Sequence, residues 1–329
     1  MRPLLFAAVL LLGPVVALAE TSSITLARQP GVAFIPFLVM ESGKLIEKHA
    51  AALGLPALTV NWTVLSGAAP MNDALLSGSL SFGTGAAPSL ILLWDRTRNS
   101  RDPVRGIGAI ATMPTTLNTR DPAIHGIADY KPGDRIALPS VRLSNAAIVL
   151  EMAAAKQWGF ENYGRLDPLT VSLPHPEAAA QVIGGGEVAS HFASPPFEQL
   201  ERREKRVHTV LTSVEVMGDA SLTDVWCTTS FLRDNPTVVR AMFGAMQEAV
   251  DTINHDKAAA ADLYLRLSGD KIGKEDLMAV LDDPHTIYST TPLGTMAFAE
   301  FLHRVGSVRG QAADWREFFF PIAHGLPGS

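Results

Sequence analysis

Apolar and polar residues alternate in short runs, and each run is followed by a longer stretch with helical spacing. In segment 23–28, Ile24 and Leu26 fall on one face, which is the pattern of a half-buried strand. A stretch with helical spacing follows at 34–53, with a break near Gly43. Further strands are predicted at 58–65, 80–83 and 104–111. This repetition of strand and helix indicates a parallel sheet with helices on both faces.

The same alternation starts again after position 114. Strands are predicted at 135–138, 169–173, 188–192 and 207–211. A helix is predicted over 145–158, with Ser144 as its N-cap. From Pro236 onward the pattern is mostly helical, with helices predicted at 238–253, 257–267, 274–281 and 293–305. The chain is therefore predicted to contain two successive α/β halves and a helical C-terminal region.

The first twenty residues have the three parts of a secretory signal peptide. Arg2 supplies a positive charge, 4–12 is an unbroken apolar run, and 17–19 is a small-residue cleavage signature. An N-terminal membrane anchor is the alternative, but the apolar run is short for a spanning helix. We expect cleavage after Ala19 and a periplasmic mature protein. The single cysteine, Cys227, does not follow that position, so no lipid anchor is expected.

The amino-acid composition excludes several classes of protein. The chain has 329 residues, of which 47% are hydrophobic and 18% charged, and this excludes a disordered chain. The net charge is −6 and no basic stripe is present, which argues against nucleic-acid binding. One cysteine forms no internal disulfide or zinc site, and the nine histidines contain no i, i+4 metal-binding pair. No phosphate-binding loop or catalytic signature stands out. We therefore expect no metal, no cofactor and no catalytic residue.

The loops that follow the predicted strands are rich in small, amide and hydroxyl residues. They are 29–31, 66–68, 85–87, 140–144, 174–176 and 193–195. In open parallel sheets, ligands bind outside the carboxyl ends of the strands. Most of these loops open a helix, and helix N-termini suit an anion or a polar head group. Such loops also occur in α/β proteins without any ligand. His175, His191 and Phe34 are candidates to contact a ligand, although local packing or capping is the commoner role of histidines at such positions.

Several stretches resemble a known family. They are 24–31, 34–46, 64–67 with 74–83, 121–124, 133–137, Asn235-Pro236 and 288–320. Together they resemble the periplasmic substrate-binding proteins of the nitrate/sulfonate/taurine class of ABC importers. The resemblance covers nearly the whole mature chain. One departure lies at Ser81, where the family usually has an acidic residue.

The resemblance implies an α/β, two-lobed Venus-flytrap fold, in which each lobe has a central mixed or mostly parallel sheet flanked by helices. Lobe I would combine 20–112 with 217–329, and lobe II would be 113–216. A small-molecule ligand would bind in the cleft, and the closed form would meet an ABC permease and its ATPase. The protein would act as a monomer. Carried over by position, the ligand-binding residues would be Gln29, Phe34, Ser66, Gly67, Gly85, Ala86, Ala87, Ser140, Ser144, His175, His191 and Ser194.

The residues leave the ligand and the biological role open. A sulfonate, nitrate or taurine suits helix N-termini, but the first-lobe loops contain no lysine or arginine after Arg28. A neutral or heteroaromatic compound such as a pyrimidine fits equally well. Pyrimidine-synthase-like enzymes share the implied fold, although their cysteine- and histidine-rich signature is absent here. A ligand-binding partner of a membrane sensor is the other alternative.

Overall fold

The computed structural model describes residues 19–329, so the predicted signal peptide lies outside the described residues except for Ala19. The strands are β1 (Ser23–Arg28), β2 (Thr59–Val64), β3 (Gly83–Gly85), β4 (Val104–Thr112), β5 (Thr116–Thr119), β6 (Ile136–Leu138), β7 (Thr170–Ser172), β8 (Ser190–Ala193), β9 (His208–Thr212) and β10 (Ser221–Thr228). The helices are α1 (Ile35–Gly43), α2 (Leu45–Ala52), α3 (Ala68–Leu76), α4 (Ala87–Thr97), α5 (Asn145–Trp158), α6 (His175–Gly184), α7 (Phe197–Arg202), α8 (Ser213–Met217), α9 (Thr229–Asp234), α10 (Pro236–His255), α11 (Lys257–Leu267), α12 (Lys274–Asp282) and α13 (Thr295–Arg304).

The strands form two groups with the same order. In the first, β1 pairs with β2 in parallel, and β10 lies antiparallel between β3 and β4. A parallel bridge from Leu26 to Phe82 joins these pieces, which gives the order β2-β1-β3-β10-β4 (sheet I). The second group has the order β7-β6-β8-β5-β9 (sheet II), in which β5 is antiparallel to β8 and β9. Each sheet thus contains one strand that runs against its neighbours.

These two antiparallel strands are also where the chain passes between the sheets. The chain leaves β4 of sheet I and enters β5 of sheet II, and it returns from β9 through α8 to β10. The two crossing segments are joined by hydrogen bonds, because the Thr115 N–H donates to Ser213 Oγ and the Ser213 N–H donates to the Thr115 carbonyl, each at 2.9 Å. Neither β5 nor β10 is among the predicted strands.

Most of the other predicted elements agree with the structure to within a few residues. Helix α5 has the predicted limits, and Ser144 Oγ accepts a hydrogen bond from the Ala147 N–H at 3.3 Å, as an N-cap does. The predicted long helix at 34–53 is divided at Lys44, which has a left-handed backbone with φ of 46°. The predicted strand at 80–83 is shifted, since β3 begins only at Gly83.

Two apolar cores support the sheets. The first packs the apolar faces of α1, α2 and α10 against sheet I, with Phe37, Ile46 and Met242 fully buried. The second contains residues of both halves, including Leu90 of α4 and Ile148 of α5, together with Trp226. None of the helices within 19–329 has the length and apolar character that crossing a membrane requires.

Glu20, the first residue after the predicted cleavage position, caps the long helix α10. Its carboxylate accepts hydrogen bonds from the N–H groups of Thr237 and Val238, at 2.9–3.0 Å. Those N–H groups have no partner inside the helix, and a negative charge there is favourable. We expect Glu20→Ala to lower the free energy of unfolding by about 1 kcal/mol, measured by urea unfolding. Glu187, which is exposed and unpaired among the described residues, is the matched control, and an equal loss for Glu187→Ala would contradict the capping role.

Candidate ligand-binding cleft

A cleft lies between the carboxyl ends of the parallel strands of the two sheets. Its cavity volume is about 60 Å3. Sheet I contributes segments after β1, β2 and β3, and sheet II contributes segments after β6, β7 and β8. The lining residues are Gln29, Pro30, Gly31, Ala33, Phe34, Ala68, Gly85, Ala86, Ser89, Thr115, Pro139, Ser144, Asn145, Ala146, His175, Ser194 and Leu222.

Four α-helices begin at this cleft. Residues of the first turn or the N-cap line it in α3 (Ala68), α4 (Ala86), α5 (Ser144) and α6 (His175). The first N–H groups of a helix have no partner inside that helix and carry partial positive charge. Helix N-termini from both halves of the chain therefore lie beside the cleft, an arrangement that suits an anionic group.

Polar side chains in the cleft are held by neighbouring residues. Gln29 Oε1 accepts a hydrogen bond from the Gly67 N–H at 3.0 Å, which leaves its Nε2 without a partner among the described residues. Asn145 Nδ2 donates to Thr115 Oγ1 at 3.1 Å, and Ser144 Oγ donates to the Ser140 carbonyl at 2.8 Å. These bonds fix the side chains before any ligand arrives. None of the lining residues within 19–329 is a lysine, arginine, aspartate or glutamate.

The two halves touch at the rim of the cleft through glycines. The Val32 N–H donates to the Pro195 carbonyl at 3.1 Å, next to Gly31, which has φ of 129°. At Gly67, with φ of 90°, a Cβ atom would lie 3.0 Å from both the Pro139 carbonyl oxygen and Ser140 Oγ. Both glycines combine a left-handed backbone with a close approach to the opposite half. The conformation is thus a closed one.

Seven of the twelve residues named from the sequence line the cleft: Gln29, Phe34, Gly85, Ala86, Ser144, His175 and Ser194. The other five do not. Gly67 and Ser140 meet each other at the rim, and Ser66 beside them is exposed. Ala87 is fully buried in the first turn of α4, and His191 lies behind His175. Ala87 and His191 each lie directly beside or behind a lining residue, whereas Ser66 is exposed next to Gly67 at the rim.

His175 is the end of a buried hydrogen-bonded series. Its Nδ1 lies 2.7 Å from Nε2 of His191, and Nδ1 of His191 lies 2.5 Å from Oε1 of Glu201. Oε2 of Glu201 accepts a hydrogen bond from Asn118 Nδ2 at 3.0 Å, and Thr209 donates to Asn118 Oδ1. The side chains of His191 and Glu201 are completely shielded from solvent. We call His175, His191 and Glu201 the relay.

Burial favours the uncharged forms of the relay. It raises the pKa of Glu201 to about 8, although the hydrogen bond from Asn118 acts in the opposite direction. Burial lowers the pKa of His191 to about 3. Burial and then the neighbouring His191 hold the pKa of His175 well below its ordinary value. At neutral pH the relay as a whole is therefore electrically neutral.

Solved structures of other proteins are similar in fold to this chain. The alkanesulfonate-binding protein SsuA from Xanthomonas axonopodis pv. citri, bound to MOPS, gives a TM-score of 0.69 at 16% identity, over 88% of this chain and 95% of that chain. The periplasmic nitrate-binding protein NrtA from Synechocystis PCC 6803 gives 0.63 at 15% identity, over 93% and 86%. The Candida albicans CA3427 gene product, described as having the generic periplasmic binding protein fold, gives 0.67 at 12% identity, over 88% and 92%.

This chain has the periplasmic-binding-protein fold. The α/β, two-lobed architecture expected from the sequence is confirmed, with sheet I in the first lobe and sheet II in the second. No protein-family model and no curated protein sequence matches the chain.

Within this fold, some cleft residues were not found from the sequence. Thr115 lies on a crossing segment and Leu222 on β10, neither of which was recognised as a site element. Asn145 directly follows the predicted N-cap Ser144, so the position of that cap could have identified Asn145 as a cleft residue. Glu201 had no signal, since a glutamate within a charged helical segment is usually solvated.

Proposed function

We propose that this protein is the extracytoplasmic solute-binding component of an ABC importer of the nitrate/sulfonate/taurine class, and that it captures a small organic or inorganic anion in its cleft. The observation that carries this proposal is the convergence of four helix N-termini, from both lobes, on one cleft. Three structural neighbours are named as sulfonate-binding proteins and one as a nitrate-binding protein, which supports the ligand class.

The donors in the cleft favour a compact, acceptor-rich head group. Helix N–H groups and Gln29 Nε2 are hydrogen-bond donors, and hydrogen bonds to an anionic acceptor are about twice as strong as those to a neutral one. A head group such as sulfonate, nitrate or carboxylate would use these donors without a formal positive charge nearby. Phe34, Ala33 and Leu222 would contact the apolar part of an organic ligand.

The fold supports the following assembly. Lobe I would comprise 20–112 and 217–329, lobe II would comprise 113–216, and the crossing segments would act as the hinge. The mature protein would be a periplasmic monomer that delivers its ligand to a permease and its ATPase. The role is binding and not catalysis.

A thermal-shift panel tests the proposal. Mature protein would be heated with ethanesulfonate, taurine, nitrate, acetate and uracil, each over a range of concentrations. A bound ligand at 100 times its Kd stabilises the folded state by about 2.7 kcal/mol, so the melting temperature should rise with the logarithm of its concentration. We expect at least one anion to do this and uracil not to.

Ethanesulfonamide, which has the same organic part but no charge, is the matched control. Calorimetry should then give a Kd for the anion that stabilises the protein. If none of the anions stabilises the protein, or if one is chemically converted, the binding-protein proposal is wrong.

A further inference from the structure

The relay connects the cleft to a buried carboxyl group. His175 lines the cleft, and its Nε2 has no hydrogen-bond partner among the described residues. At the other end, Glu201 has one oxygen bonded to His191 and the other occupied by the Asn118 amide. The ring of His175 stacks on Phe197, with centroids 5.7 Å apart and planes 15° apart, which fixes its orientation. The series is therefore continuous and rigid.

The number of protons on the relay determines whether His175 Nε2 is a hydrogen-bond donor or an acceptor toward the cleft. In its neutral form the relay holds three titratable protons, one for each of its residues. Two of them lie in the two hydrogen bonds of the relay, and Glu201 Oε2 is already an acceptor for Asn118. The third proton is therefore on Nε2 of His175. This holds whichever residues carry the first two, so His175 is a donor in every neutral arrangement.

The same count shows how the relay can respond to an anion. Moving each of the two bridging protons one step toward His175 leaves Glu201 ionised and His175 cationic, with no proton taken from solvent. An anion in contact with Nε2 favours this arrangement, since opposite charges close together stabilise each other in a buried site. Although no lysine or arginine lines the cleft, His175 can therefore become positively charged when an anion binds.

We propose that the relay is the specificity-determining device of this cleft, in which His175 Nε2 donates to an anionic oxygen of the ligand and Glu201 holds the compensating negative charge. This inference rests on the proposed function, and it identifies the ligand as an anion that bonds through an oxygen atom.

Few other charged groups lie near the relay. On α7, Glu198 is buried one turn before Glu201, and Arg202 follows it. Strands β5 and β9 present the uncharged Asn118 and Thr209, and on α6 Glu177 is exposed. Burial raises the pKa of Glu198 to about 7, and the nearby charge of Glu201 acts in the same direction. The Glu198 carboxylate accepts a hydrogen bond from Gln199 Nε2 and makes none to the relay. Glu198 is therefore the matched control for Glu201.

The first experiment needs no ligand. Nitrogen-15 NMR of histidine-labelled protein at pH 7 reports which ring nitrogens carry protons, and His175→Phe and His191→Phe assign the signals. We expect Nε2 of His175 to be protonated in the free protein. An unprotonated Nε2 in the folded wild type would overturn the proposal, whatever the protein binds.

The second experiment measures binding of ethanesulfonate, acetate and nitrate to three variants by calorimetry. We expect His175→Phe to weaken the anion that binds best by roughly 10- to 100-fold, the effect of losing a hydrogen bond to a charged group. Glu201→Gln retains a neutral donor at His175 but abolishes the charge shift, so a loss of about tenfold is expected. Glu198→Gln should stay within about twofold, because Glu198 has no bond to the relay. Circular dichroism establishes that each variant is folded.

The pH dependence separates a relay from a merely structural role. Above pH 8, near the pKa of Glu201, the relay loses its third proton and His175 Nε2 becomes an acceptor. Wild-type affinity for the anion should then fall by about tenfold per pH unit, and the affinity of Glu201→Gln should stay flat. Equal profiles for the wild type and Glu201→Gln would overturn the proposal. If none of the anions binds the wild type, the proposed function fails, and the NMR result alone decides the state of the relay.

Discussion

Replacing Gly67 by alanine will weaken binding of the cleft ligand by roughly 5- to 150-fold, the equivalent of the 1–3 kcal/mol that overpacking typically costs. In the closed conformation, the new Cβ atom would lie 3.0 Å from the Pro139 carbonyl oxygen and from Ser140 Oγ. Both contacts belong to the opposite lobe, so opening of the lobes relieves them. The substitution therefore disfavours the closed state, and a ligand that needs closure binds less tightly.

Gly54 provides a control for the backbone strain that accompanies this substitution. Its φ of 93° is close to the 90° of Gly67, but no atom lies within 4 Å of the position where its Cβ would stand. Gly54→Ala should lower stability by a similar amount and leave affinity unchanged. Calorimetry on both variants, with the anion found by the thermal-shift panel, measures the difference. If the two variants bind equally well, the contact between Gly67 and lobe II does not form in the liganded state.

The sequence predicts most strands of the fold but neither of the two antiparallel ones. Strand β5 has four residues, all of them buried, so it contains no alternation of exposed and buried positions. Strand β10 is longer, but its pairing with β4 shifts at three places, between Ser221 and Thr223, Thr223 and Asp224, and Val225 and Trp226. Each irregularity interrupts the two-residue period on which strand prediction depends. The strand–helix alternation therefore indicated parallel sheets only.

For the cleft, too, the sequence predicts features that depend on nearby residues and misses those that depend on contacts between distant elements. Ser144 was predicted as a cap because its partner, Ala147, is three residues away. Loops after parallel strands were predicted to meet because the fold class places them at one edge. The relay was not predicted, since Glu201 bonds to His191 on a different element and its burial depends on the packing of α7 against sheet II. Side-chain series that span several elements become visible only in the folded chain.

Trp226→Ala will cause the largest loss of stability of these substitutions, about 3–5 kcal/mol, the range found when a buried aromatic ring is removed. Trp226 lies on β10 and is fully buried. It packs so closely against β3 that a Cβ atom on Gly83 would lie 2.3 Å from its Nε1. Its Nε1 has no hydrogen-bond partner among the described residues, so the loss consists of the cavity and the lost apolar contacts and not of a broken hydrogen bond.

Trp158 is the matched control, because it is half-buried at the end of α5 with the Arg165 guanidinium 4.7 Å above its ring. We expect Trp158→Ala to cost about 1 kcal/mol. Urea unfolding followed by far-ultraviolet circular dichroism measures both, since tryptophan fluorescence changes with the substitution itself. A similar cost for the two variants would mean that β10 is not packed as described. A cost above 3 kcal/mol for Trp226→Ala alone would mean that packing of β10 contributes much of the stability of lobe I. Strand β3, which pairs with β10, ends at the cleft with Gly85.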